Sequence, residues 1–92
     1  MKLSQDQIKE KLGSLPHWKY TNGQIKKTFV LKDFKSAIKF FNQAAQIAEK
    51  MNHHPEIDIR YNKVSFSLST HSEGGVTEKD ITLAQKIDGL NL

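Results

Sequence analysis

Between residues 33 and 51 the apolar residues Phe34, Ala37, Ile38, Phe41, Ala44, Ala45, Ala48 and Met51 recur at steps of three and four, with Lys35, Lys39, Asn42, Gln46 and Glu49 on the opposite side. That period predicts a long helix with one apolar face. Shorter helices are signalled near both ends. In "LSQDQI" the Ser4 hydroxyl is placed to cap the N–H of Gln7 while Gln7 reaches back, and Leu3 and Ile8 hold the two positions of a hydrophobic staple. A first helix is expected over 5–12, ending at Gly13. "VTEKDI" repeats the arrangement, with Thr77 as N-cap, Asp80 in the reciprocal position and Val76 facing Ile81, and Ala84 and Ile87 continue the stripe into a closing helix.

The remaining segments read as paired strands. "HWKYTNGQIKKTFVL" sets Asn22-Gly23 between two runs, the dipeptide that accepts positive φ in a two-residue hairpin turn. "IDIRYNKVSFSLST" alternates Ile57, Ile59, Val64, Phe66 and Leu68 with polar partners around a turn at Asn62. The predicted class is α+β in the order α-β-β-α-β-β-α: one domain over 1–92, with a four-stranded antiparallel sheet covered on one face by helices. The fourth strand carries no proline or lysine between Val64 and Thr70, so it is expected to offer a free edge to a copy of itself.

Composition narrows the chemistry more than the fold. The 92 residues include no cysteine, which excludes disulfides, thiolate metal sites and cysteine nucleophiles. Fourteen Lys plus Arg against ten Asp plus Glu give a net charge of +4, but the lysines are scattered from Lys2 to Lys86. A nucleic-acid footprint needs them gathered on one face, so nucleic acid is not the expected partner. The sequence turns polar after Leu3 and has no apolar run near the ~18 residues needed to span a bilayer, which leads to the expectation of a soluble, cytoplasmic protein.

The chemistry concentrates in "AEKMNHHPEID", where His53 and His54 stand side by side before Pro55. A residue preceding proline is pushed out of the α region, so the pair should fall just past the end of the long helix. One histidine there is accounted for by capping free carbonyls, where a cation gains ~0.3–1 kcal/mol. Two are not. Adjacent side chains diverge, and with only His71 as a distant third nitrogen a metal site is not expected. Proton transfer asks only for groups that change charge near neutral pH around a pocket, and "STHSEGG" brings His71 to the end of the fourth strand beside a glycine pair.

These residues resemble the signature of the pterin-4a-carbinolamine dehydratases: Glu49-Lys50-x-x-His53-His54-Pro55, then Tyr61-Asn62-x-Val64, then Thr70-His71, then Thr77-x-x-Asp80. The likeness runs in unbroken order from Trp18 through "LKDF" at 31–34 to the last helix. It implies the same element order and the dehydration of 4a-hydroxytetrahydrobiopterin to quinonoid dihydropterin without metal or organic cofactor. It further implies that His53, His54 and His71 are catalytic and contact the pterin, with Asn52, Ser69, Thr70 and Ser72 beside the substrate and Glu49, Pro55 and Asp80 in support. Within that set His54 is the expected acid and His71 the expected base, a division that the substrate's stereochemistry can reverse, with His53 orienting the pterin. Two positions depart from the family pattern: Asn52 where Asp is frequent, removing a charge that would raise the pKa of its neighbours, and Ile57 where an aromatic is frequent. Trp18 reads as core and Asp80 as a helix cap before a base.

The resemblance also implies association, with dimers joined at the sheet edge and pairs of dimers meeting through the long helices, and an aromatic amino acid hydroxylase system as a partner. Animal members of the family bind a homeodomain transcription factor, so a pure interaction module is the alternative function.

Overall fold

In the computed structural model, which describes residues 1–90, the order is α1 (Gln5–Leu12), β1 (Lys19–Thr21), β2 (Gln24–Val30), α2 (Phe34–Met51), β3 (Glu56–Arg60), β4 (Lys63–Leu68), a 3-10 turn (His71–Glu73) and α3 (Glu78–Asp88). The last two residues of the expected domain lie outside the described ones. The local signals act as read. Ser4 and Gln7 exchange the two bonds of a capping box (3.1 and 2.8 Å). Asp33, which the sequence reading did not mark as a cap, caps α2 through the Ser36 N–H at 2.8 Å. Asn22 and Gly23 both take positive φ, 51° and 77°, as the tight hairpin requires.

The four strands form one sheet in the order β1-β2-β4-β3, antiparallel between all neighbours. This corrects the expectation for the fourth strand. β4 pairs with β2 on one side (Ile25 opposite Leu68) and with β3 on the other (Ile57 opposite Phe66), so it has no free edge. Its lack of proline and lysine is explained from the inside: a central strand needs every N–H for its ladders. The edges of the sheet are β1 and β3.

Alternation along β4 and through the two residues past its end sends Val64, Phe66, Leu68 and Thr70 toward the helices and Ser65, Ser67 and Ser69 to the other face. Phe29, Phe40 and Phe66 meet with ring centroids 4.9–5.8 Å apart, an arrangement of tilted and edge-on rings that favours aromatic packing. The uncovered face is polar, with Thr28 and Ser65 hydroxyls 2.8 Å apart and Gln24 donating to Glu56 at 3.1 Å.

The buried face of α2 is set by Ala37, Phe40, Ala44 and Ala48. Phe40 was not part of the predicted stripe. Phe34, Ile38, Phe41 and Ala45 instead form a shoulder about a quarter turn away, in which Phe34 is 52 % exposed and the other three are half-buried. With apolar residues at so many positions, periodicity alone could not choose which of the two stripes faces the sheet.

Candidate active site

Three element ends converge where the histidines lie. α2 stops at Met51 because Asn52 takes the left-handed conformation (φ 51°), the His53 N–H returns to the Ala48 carbonyl, and the Asn52 N–H returns to Glu49, both at 3.0 Å. This is a Schellman-type stop, and asparagine is among the few non-glycine residues that enter it cheaply. The helix therefore ends at Asn52, three residues before the proline credited with ending it; Pro55 constrains only His54. Asn52, expected beside the substrate, has this backbone role and an exposed side chain.

His53 turns inward, with a side chain only 11 % exposed, and its Nε2 lies 2.5 Å from Asp80 Oδ1. Asp80, in the first turn of α3, is fully buried. Its other oxygen, Oδ2, accepts the Thr77 N–H and the Thr70 hydroxyl, each at 2.9 Å. Thr70 and Thr77 share a further hydroxyl contact at 2.7 Å. Asp80 is thus both the expected cap of α3 and the partner of a histidine 27 positions earlier. Thr70 sits on the core side of its strand, where its hydroxyl is spent on Asp80. Thr77, read from the sequence only as a cap, belongs to the same cluster. The signal for Thr70 was available in the alternation that puts it in phase with Leu68.

His54 points the other way. Its Nε2 meets Glu49 Oε1 at 2.8 Å, with both side chains more than half exposed, so Glu49 supports His54 and not His53. His71 opens the 3-10 turn of a loop closed by the Thr70–Gly75 bridge, with Gly74 at φ 73°. Its side chain is exposed, and with Ser69 it lines a shallow hollow of about 290 Å³ completed by Asn22, Gly23, Gln24, Gly74 and Gly75. Ser72 and Thr70 line a different cleft of about 490 Å³, walled by Lys2, Leu3, Gln7 and the start of α3. Neither hollow is lined by His53 or His54. The structure therefore binds His53, Asp80, Thr70 and Thr77 into one cluster, and places His54 with Glu49, His71 with Ser69, and Ser72 around it.

Comparison with known proteins places the chain in a family. The sequence profile described as pterin 4 alpha carbinolamine dehydratase aligns with residues 1–90. A Sulfolobus acidocaldarius protein with the provisional name pterin-4-alpha-carbinolamine dehydratase is 49 % identical over 88 residues, 96 % of this chain and 97 % of its own. A Chloroflexus aurantiacus protein of the same provisional name is 48 % identical over 87 residues, 95 % and 94 % of the two chains. Among solved structures, a Brucella melitensis protein described as a transcriptional coactivator/pterin dehydratase superposes with a TM-score of 0.91 at 43 % identity, covering 96 % of each chain. A pterin dehydratase-like RuBisCO assembly factor of the alpha-carboxysome shares the fold alone, with a TM-score of 0.66 at 19 % identity over 77 % of this chain and 84 % of its own. With the profile matched over nearly every residue and relatives near half identity, the chain belongs to the pterin 4 alpha carbinolamine dehydratase family.

Proposed function

We propose that this protein dehydrates 4a-hydroxytetrahydrobiopterin to quinonoid dihydropterin and water, recycling the pterin in the cytoplasm downstream of an aromatic amino acid hydroxylase. Loss of water breaks the C4a–O bond. The hydroxyl leaves as water after receiving one proton, the N5 proton is removed, and the electron pair of that N–H bond forms the C4a=N5 bond, so no electron carrier takes part. An acid and a base that exchange protons near neutral pH supply what this needs, a contribution typically of ~10²–10⁴-fold. The observation that carries the reading is the Asp80-anchored His53 at the meeting of α2, β4 and α3, with His54 and His71 on the adjoining segments. In this reading His54 protonates the hydroxyl, His71 takes the N5 proton and His53 orients the pterin, with Asn52, Ser69 and Ser72 around the ring and Glu49 holding His54.

The test follows absorbance after the carbinolamine is generated in situ, with and without the protein. Faster appearance of the quinonoid dihydropterin, undiminished by a metal chelator, is expected. An unchanged trace rejects the reading.

A second reading, an interaction module acting on a transcription factor, is favoured by the description of the Brucella neighbour as a coactivator and by the partly covered Phe34–Ile38–Phe41–Ala45 shoulder, in which Phe34 is exposed. It predicts no acceleration in the same assay.

A further inference from the structure

The hydrogen bonds beneath His53 run in only one direction. A backbone N–H can only donate, so Lys79 N–H donates to Thr77 Oγ1 (3.2 Å) and Thr77 N–H donates to Asp80 Oδ2 (2.9 Å). Each threonine hydroxyl has one hydrogen to give. If Thr77 gives its hydrogen to Thr70 and Thr70 gives its own to Asp80 Oδ2, every hydrogen has an acceptor. In the reverse direction Asp80 would have to donate to Thr70 and Thr70 to Thr77, and the Thr77 hydrogen would be left without an acceptor among the described residues. At 5 %, 6 % and 0 % exposure, Thr77, Thr70 and Asp80 are buried where a stranded donor is costly.

We infer that Thr70 and Thr77 are positioning residues that hold Asp80 as a pure hydrogen-bond acceptor and so fix neutral His53 with its proton on Nε2. Asp80 Oδ1 then accepts from His53 Nε2–H. Nδ1, which has no partner among the described residues, is left as a lone pair that accepts a hydrogen bond from an N–H of the bound molecule. The pterin ring carries several such donors, so this deepens the dehydratase reading: His53 orients its substrate by accepting, not by donating. That consequence rests on the proposed function; the tautomer itself does not.

The arrangement makes a sign-definite prediction for Asp80→Asn. Thr77 N–H and the Thr70 hydroxyl both demand an acceptor, so the amide oxygen must take the place of Oδ2. The amide NH₂ then faces His53 and donates to Nε2, which drives the ring proton to Nδ1. The experiment is long-range ¹H–¹⁵N correlation of the imidazole nitrogens, at a pH where His53 is neutral, on the full chain without ligand. Wild type is expected predominantly as the Nε2–H form and Asp80→Asn predominantly as the Nδ1–H form. Adding Thr70→Val to Asp80→Asn removes one of the two donors that orient the amide and should lower the fraction of the Nδ1–H form, whereas Thr70→Ser should keep the inversion in full. An Nδ1–H form in wild type overturns the inference, and so does an unchanged tautomer in a folded Asp80→Asn. The wild-type spectrum decides the first point even if the variant fails to fold. No substrate is needed, so a failed turnover assay and a failed tautomer assignment remain separate results.

Discussion

His53 Nε2 and Asp80 Oδ1, 2.5 Å apart, join the segment just past the end of α2 to the first turn of α3. Because the same carboxylate caps α3 and receives Thr70, one buried side chain sets the position of three elements at the candidate site. Asp80→Ala would leave the Thr77 N–H and the Thr70 hydroxyl without an acceptor, at about 1–3 kcal/mol for each stranded group. Asp80→Asn keeps one acceptor for them. Urea unfolding should therefore show Asp80→Ala destabilised by about 2–4 kcal/mol and Asp80→Asn by clearly less. Equal losses for the two variants would mean that the negative charge of Asp80, which both remove, and not its capacity to accept these bonds, dominates.

The proposed chemistry makes His54 and His71 dispensable for folding, since both side chains are exposed. His54→Ala and His71→Ala should each lower turnover by on the order of 10²–10⁴-fold with unchanged circular dichroism. His17 is the control. It is exposed and lies in the left-handed region at φ 69°, so asparagine, which tolerates that backbone, is the better replacement. A His17→Asn loss as large as the other two, or near-native turnover in the His54→Ala, His71→Ala double variant, would defeat the assignment.

Much of this architecture was legible in the residues themselves, and the misses share a cause. Ser4, Thr77, Asn22 and Gly23 act within a few positions of themselves, so these caps and the first hairpin could be read locally. The place of β4 in the sheet could not, because strand order depends on where β3 lands after α2 and no local signal encodes that. The stop of α2 was assigned to Pro55, the stronger word in the sequence, when Asn52 three residues earlier already turns the chain. In the site, the histidines were visible as residue types. Their sorting into an inward His53 and an outward His54 follows from that left-handed turn and from a carboxylate 27 residues away.

At the other end of α3, Asp88 takes the Trp18 indole N–H on both oxygens (3.0 and 3.1 Å) and the Lys27 ammonium at 2.9 Å. Lys27 and Asp88 are only 12 % and 18 % exposed, and the ammonium also lies 4.5 Å from the centre of the Phe29 ring. Removing the acceptor strands two donors, whereas replacing the lysine with an apolar chain leaves Asp88 its indole bonds. Asp88→Ala is expected to cost about 2–3 kcal/mol and Lys27→Met under about 1.5 kcal/mol in urea unfolding. The reverse order would show the ammonium, and not the carboxylate, to be the hub.

Asp33 ties stability to pH at the start of α2. The backbone bond from Ser36 holds its carboxyl below the ordinary value of 3.8, with the Ser36 side chain and then Lys32 and Lys35 acting in the same direction. A depressed value in the folded state means that the ionised form is the one stabilised. The contribution is fully present above pH 3.8 and is lost as pH falls through the lower folded value. In an NMR titration the Asp33 carboxyl should have its midpoint below 3.8, with amide exchange at Ser36 accelerating as it protonates. Asp33→Asn keeps an acceptor and should remove that acceleration. A midpoint at or above the ordinary value would contradict the cap.

The last expectation concerns association, which the corrected strand order moves to a new place. With β4 enclosed, the free edges are three-residue β1 and five-residue β3, and the longer β3 is the better template for pairing with a second copy. On α2, Phe34, Ile38, Phe41 and Ala45 lie at steps of four, three and four, the spacing of a helix–helix seam; in the isolated chain Phe34 is exposed and the other three are only partly covered. Two contacts of different kinds predict two levels of assembly: edge-paired dimers, and tetramers formed through the helices. Light scattering at micromolar concentration should report a tetramer or dimer for wild type. Ile38→Lys with Phe41→Glu puts charges into the seam while leaving Phe40 and the core face untouched, so it should halve a tetramer to a dimer with the thermal transition retained. A wild-type monomer would contradict both contacts, and a tetramer that survives the double substitution would place its second interface away from this shoulder.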